Sequence, residues 1–151
     1  MSFTETLARM GVTLPDAPAP AANYVPAIRA GDLLFVSGQI SSGPDGLIKG
    51  RLGDGMSIED GAAAARHCAI SLLAQVRTAM DGDLDRLQQV VKLTGFVNCT
   101  PDFTDQPKVI NGASDFLVEA LGESGRHSRS AVGAVLPFGV AVEIEGIFRV
   151  R

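Results

Sequence analysis

An α+β fold is predicted by three features of the sequence: two long segments whose apolar residues recur at helical spacing, alternating or β-branched runs around them, and Gly- or Pro-bearing turns at most junctions. The predicted order is ββ(β)αβαββ, behind a short N-terminal helix. Two long helices separated by strands cover one face of a sheet of this size. The other face must then be polar or meet a partner, and the strand residues that would line it are mostly not polar.

Ser2-Phe3-Thr4-Glu5 has the spacing of a capping box, and Phe3, Leu7 and Met10 share one helical face before Gly11. Leu14 to Pro20, rich in Pro and Ala, reads as an extended linker packed against the body. Tyr24–Ile28 and Leu33–Ile40 read as strands around the tight turn Ala30-Gly31-Asp32, with a second turn at Ser42 to Gly46 and a short strand near Leu47 to Lys49. Ser57 to Met80 opens with a Ser57-x-x-Asp60 cap, and Ala65, Ala69, Leu72, Leu73 and Val76 follow at helical spacing. Leu87 to Asn98 is a buried strand by composition. A second long helix runs from Asp105 to Leu121, burying Val109, Ala113, Phe116, Leu117 and Ala120 and ending at Gly122.

At 151 residues the chain fits one domain, residues 1–151, in which 1–20 form the N-terminal helix and linker. A net charge of -4 without a basic run argues against a nucleic-acid surface, because phosphates are met by clustered Lys and Arg. Cys68 and Cys99 show no sign of pairing and suit a reducing compartment, so the cytoplasm is expected. Residues 1–20 lack a basic start followed by an apolar run, and no stretch approaches the ~18 apolar residues of a membrane span. His67, His127 and the two cysteines have no zinc-ligand spacing. Gly50-x-x-Gly53-Asp54-Gly55 lacks the lysine of a phosphate loop, and Ser130 lacks triad partners.

The C-terminal segment is the most informative. Ser128-Arg129-Ser130-Ala131-Val132-Gly133-Ala134 and Val140 to Phe148 frame a Leu-Pro-Phe-Gly turn, and their internal charges are Arg129, Glu143 and Glu145. Strand alternation puts Val140, Val142, Ile144 and Phe148 on one face, and Ala141, Glu143 and Glu145 on the other. Paired as a hairpin, these strands would bring an arginine and a carboxylate together beside small residues, as a pocket for a small acid. The alternative is that the three charges solvate the outer face of a half-buried sheet.

Arg129-Ser-Ala-Val, Leu136-Pro137 and Val142-Glu-Ile-Glu resemble the C-terminal motif of the YjgF-like reactive-intermediate deaminases, a family also called endoribonuclease L-PSP. Leu34 to Ile40 resembles the family's strand ending in Ser-Gly-Gln, and Val91 to Val97 its central strand. The three motifs stand in the family order and span about residues 24–150.

The resemblance implies a chorismate-mutase-like mixed sheet with two main helices on one face, assembled as a homotrimer with a site at each interface. It implies an enzyme without cofactor or metal that hydrolyses 2-imino or enamine acids to 2-keto acids and ammonia. Arg129 matches the residue that grips the substrate carboxylate, a task suited to a planar two-pronged donor. Glu143 matches the glutamate that positions or deprotonates water. Tyr24 matches a pocket-edge tyrosine, either a phenol donor or packing. Gly38 matches a glycine that lets backbone approach the ligand, and also suits a bulge. At Ala131 many relatives carry cysteine; the backbone amide remains for the substrate. The interval from Arg129 to Leu136 is one residue shorter than usual. Two further readings remain: a trimer that binds or senses a small carboxylate without turnover, and a ribonuclease, which the acidic balance disfavours. Expected partners are a 2-imino or 2-keto acid and two further copies of the chain, with neither nucleic acid nor membrane.

Overall fold

Capping chemistry sets the helix ends. In the computed structural model, which describes residues 1–19 and 22–151, α1 (Phe3–Arg9) begins at Ser2, whose hydroxyl accepts from the Glu5 amide while the Glu5 carboxylate accepts from the Ser2 amide. α2 (Ile58–Ala79) begins at Ser57, which accepts from the Asp60 amide at 3.1 Å. α3 (Gln106–Leu121) carries Pro107 in its first turn and stops at Gly122, φ 62°. Pro20, the last residue of the predicted linker, lies outside the described residues; Leu14 packs against the core, and the Pro15 and Pro18 carbonyls accept hydrogen bonds from α2.

The strands are β1 (Ala27–Ala30), β2 (Leu33–Ile40), β3 (Ser42–Gly43), β4 (Gly46–Leu47), β5 (Leu87–Asn98), β6 (Ser128–Ala134) and β7 (Val142–Val150). Five form a mixed sheet in the order β1-β2-β7-β5-β6, while β3 and β4 make a separate ribbon. Only the β5–β6 pair in the sheet is parallel, as the helical crossover through α3 requires. β1 and β2 join through Gly31-Asp32, with Gly31 at φ 64° supplying the left-handed residue of the turn.

α2 and α3 cover one sheet face. Leu34, Val36, Leu93, Val97, Val142, Ile144 and Phe148 meet Cys68, Leu72, Ile110 and Leu117 there, all buried. A Cβ at Gly112 would lie 1.9 Å from the Ala62 carbonyl oxygen, so the two helices cross in backbone contact. Among the described residues, no helix covers the opposite sheet face, which exposes Ile28, Phe35 and Val132.

Two expectations are corrected. The first strand begins at Ala27, not at Tyr24, since Pro26 has no N–H to give a ladder and restricts Val25 before it. The C-terminal strands do not pair as a hairpin: β5 lies between them and bonds to both. The crossover through α3 seats β6 on one edge of β5, and the return through Leu136 to Ala141 carries the chain past β5 to its other edge.

Candidate functional site

The register decides where the charged residues go. Phe96 of β5 pairs with Glu143 on one side and with Val132 on the other, so Glu143 and Val132 share the uncovered face. Arg129, three residues before Val132, points to the opposite, helix-bearing face, opposite Leu93. Two strand spacings and three residues separate Arg129 from Glu143, on the order of 14 Å between their backbones. Within one protomer they belong to different sites.

Glu143 stands at a β-bulge. β2 gains a residue against β7 between Val36 and Gln39, and Gly38 lies in this irregularity. A Cβ at Gly38 would sit 2.8 Å from Glu143 Oε2 and 2.9 Å from Cδ. The missing side chain therefore makes room for the carboxylate of the neighbouring strand. Beside it opens a cavity of about 450 Å³, lined by Tyr24, Ser37, Gln39, Leu47, Phe138 and part of the N-terminal linker. Among the described residues no cation pairs with Glu143. Burial, and then the charge of Glu145, hold its carboxyl above the ordinary glutamate range. Burial, followed by Glu143, likewise pushes the Cys68 thiol well up, so it stays protonated.

Two buried amides, Gln39 and Gln75, build the inner wall. Gln75 Nε2 donates to the Pro18 carbonyl at 2.8 Å and to Gln39 Oε1 at 3.3 Å, and Gln39 Nε2 donates to the Ser37 carbonyl. Gln75 thus ties the linker over the cavity, helped by Arg77 donating to the Pro15 carbonyl. Sequence reasoning passed over Gln75, although a glutamine on the apolar face of a helix is a signal that a polar partner must meet it.

Arg129 lies in a second, polar depression of about 270 Å³ with Ser114, His127, Asn111 and Arg126. His127 Nδ1 is 2.6 Å from the Gly125 carbonyl and Nε2 is 2.9 Å from Ser114 Oγ. A carbonyl only accepts, so Nδ1 carries the hydrogen and Nε2 receives the Ser114 hydroxyl. Ser114 Oγ in turn accepts from Arg129 Nη1 at 3.0 Å, while Arg129 Nη2 donates to the Pro107 carbonyl at 3.2 Å. Burial, with Arg129 nearby, keeps His127 below its usual range and thus neutral, although the Gly125 bond opposes this. Two guanidinium donors are engaged and the remainder can meet a ligand. Ala131 shares this face with Arg129, partly buried against the core.

Of the residues predicted to form the site, Tyr24, Gly38 and Glu143 line one cavity, whereas Arg129 and Ala131 lie on the other side of the sheet. Tyr24 reaches the cavity from the bend before β1 rather than from a strand. Among the described residues, no group of three His, Cys, Asp or Glu side chains could hold a metal ion, and no helix is long and apolar enough to cross a membrane.

Protein TCP17 of Trypanosoma cruzi is 49% identical to this chain over 144 residues, 93% of this chain and 89% of the relative. A crystal structure from Shewanella oneidensis described as "a putative endoribonuclease" covers 99% of this chain and 100% of its own, at 32% identity and TM-score 0.94. Escherichia coli TdcF with bound serine covers 89% of this chain and 93% of its own, at 27% identity and TM-score 0.61. The family described as "YjgF/chorismate_mutase-like, putative endoribonuclease" matches residues 4–142. The fold, the motifs and this match together place the chain in the YjgF/chorismate-mutase-like family.

Proposed function

We propose that this protein hydrolyses reactive 2-imino acids to 2-keto acids and ammonia, at sites completed between copies of the chain. The observation that carries this reading is Glu143, a half-buried carboxylate without a cation partner among the described residues, held over Gly38 at the wall of a cavity. Desolvation without a counter-charge makes it a stronger base than a surface glutamate. Arg129, pinned by Ser114 and the Pro107 carbonyl, offers a fork for a carboxylate.

In the proposed reaction, water oxygen bonds to the imine carbon as Glu143 takes its proton. The C=N electron pair moves to nitrogen, which receives that proton and leaves a carbinolamine. Glu143 then carries the hydroxyl proton to the amine, the C–N bond breaks, and ammonia departs as the keto oxygen forms. The imine is already electrophilic, so orientation and proton transfer suffice, with acid-base help worth roughly 10²- to 10⁴-fold. The test is to supply freshly generated 2-imino acids and follow 2-keto acid release.

Because Arg129 and Glu143 of one chain lie on opposite sheet faces, the reading requires a second copy, and the exposed Ile28, Phe35 and Val132 give it an apolar surface to cover. Light scattering is expected to report about three chains, the number that the family resemblance implies. Mixing unfolded Arg129→Ala and Glu143→Gln chains in equal amounts and refolding them is expected to restore about a quarter of parental activity, since one in four interfaces then joins an intact arginine to an intact glutamate. A monomer, or mixtures as inactive as their parents, would refute the shared site.

The bound serine of TdcF, an amino acid rather than an imine, favours a second reading in which the pocket binds a small carboxylate without turnover. Undiminished imine hydrolysis by Glu143→Gln would remove Glu143 from the chemistry and favour this reading. The relatives named as endoribonucleases raise a third activity; with net charge -4, this protein is expected to leave RNA intact and bind it without salt-sensitive affinity. Cleavage that copurifies with the protein and disappears in Arg129→Ala would reverse that expectation.

A further inference from the structure

We propose that the cavity beside Glu143 selects 2-imino acids with bulky apolar side chains, branched aliphatic or aromatic, and that Phe138 sets this selection. The inference rests on the hydrolytic reading and adds its substrate class. At about 450 Å³ the cavity has far more space than an alanine-derived imino acid fills. Such an acid has on the order of six heavy atoms, against room for about fifteen water volumes.

The lining divides into two ends. Glu143, Gln39 and Ser37 supply the polar groups; Tyr24, Leu47 and Phe138 supply an apolar wall although each is substantially exposed, at 50%, 42% and 63%. A pocket with convergent polar groups at one end and exposed apolar side chains at the other orients an amphipathic ligand, with its reacting centre at the carboxylate and its side chain on the wall. No lysine or arginine lines the cavity among the described residues, so a substrate with a second carboxylate would face Glu143 without compensation.

Phe138 carries the argument furthest, because its backbone is in the left-handed region, φ 59° and ψ 11°. It occupies the first central position of a turn closed by the Val140 amide on the Pro137 carbonyl at 3.2 Å, with Gly139 at φ 72° beside it. Glycine or asparagine adopts that conformation readily, and a phenylalanine does so against its own Cβ. Nothing in the turn asks for an aromatic ring. The ring's contribution is the cavity wall.

The test compares imino acids formed in place from alanine, aspartate, leucine and phenylalanine by an amino-acid oxidase, and measures calorimetric binding of the matching 2-keto acids. The leucine and phenylalanine derivatives are expected to exceed the alanine derivative by about tenfold or more in kcat/KM and in affinity, with the aspartate derivative weakest. Phe138→Asn, which tolerates the left-handed backbone, is expected to bring the apolar preference to within about twofold while raising Tm. Preference for the alanine or aspartate derivative would overturn the inference. So would a raised Tm with selectivity intact, which would leave Phe138 a turn residue only. If no imine is hydrolysed while 2-keto acid affinities keep the apolar ranking, the selection stands and the hydrolytic reading fails.

Discussion

Arg129→Ala is expected to abolish 2-keto acid binding and imine turnover together, each by on the order of 10²-fold or more, because it removes the fork that would hold the substrate carboxylate. No neighbour can take over. Arg126 is paired with Glu123 at 3.1 Å, and His127 is neutral with both ring nitrogens engaged. Lysine at this position is expected to rescue only a small part. Its ammonium is a point charge and cannot reach Ser114 and the Pro107 carbonyl while still presenting two parallel donors. Titration calorimetry and a keto-acid release assay check both effects. Normal binding by a folded Arg129→Ala protein would mean that the carboxylate is held elsewhere and that the Ser114 cluster is structural.

Glu143→Gln is expected to separate gripping from chemistry: 2-keto acid affinity stays level or rises, while hydrolysis falls by about 10²-fold or more. Affinity can rise because a negative charge beside the ligand is gone. For the parent, hydrolysis is expected to decline as pH falls through the Glu143 pKa, with a midpoint above the ordinary 4.5 of glutamate. Stability moves the opposite way. A carboxyl with a raised folded pKa binds more protons folded than unfolded between those two values, so its stabilisation is full below the unfolded pKa and is lost as pH rises through the folded one. At neutral pH Glu143→Gln is therefore expected to melt higher than the parent, an advantage that disappears below the ordinary glutamate pKa. Equal melting at neutral pH would mean that solvent reaches the carboxylate freely.

Local elements could be read from the sequence because their causes are local. Ser2, Ser57, Gly31 and Gly122 announce caps and a turn through side-chain or φ chemistry that depends on a few neighbours. Strand alternation also placed Glu143 and Glu145 correctly on the face opposite Val142, Ile144 and Phe148. What alternation cannot report is which strand lies alongside. The neighbour of β6 is chosen by the crossover through α3, a non-local matter, and it turned an expected Arg129–Glu143 contact into two sites on opposite faces. Gly38 was read as a close approach or a bulge; it lies in a bulge, and the group approaching is Glu143. Phe138 was hidden for another reason: Pro-Phe-Gly signals a turn, but the natural bearer of left-handed backbone there is Gly139, and both residues adopt it.

The contact between α2 and α3 at Gly112 limits where this fold can breathe. Helices touching backbone to backbone cannot slide without atoms overlapping, so the layer behind the sheet is locked at this crossing. The linker is held more lightly, since Gln75 and Arg77 bind Pro18 and Pro15 by single side-chain hydrogen bonds. Change at the linker is thereby uncoupled from the core: its residues can vary one by one while the helix layer behind the sheet stays unchanged.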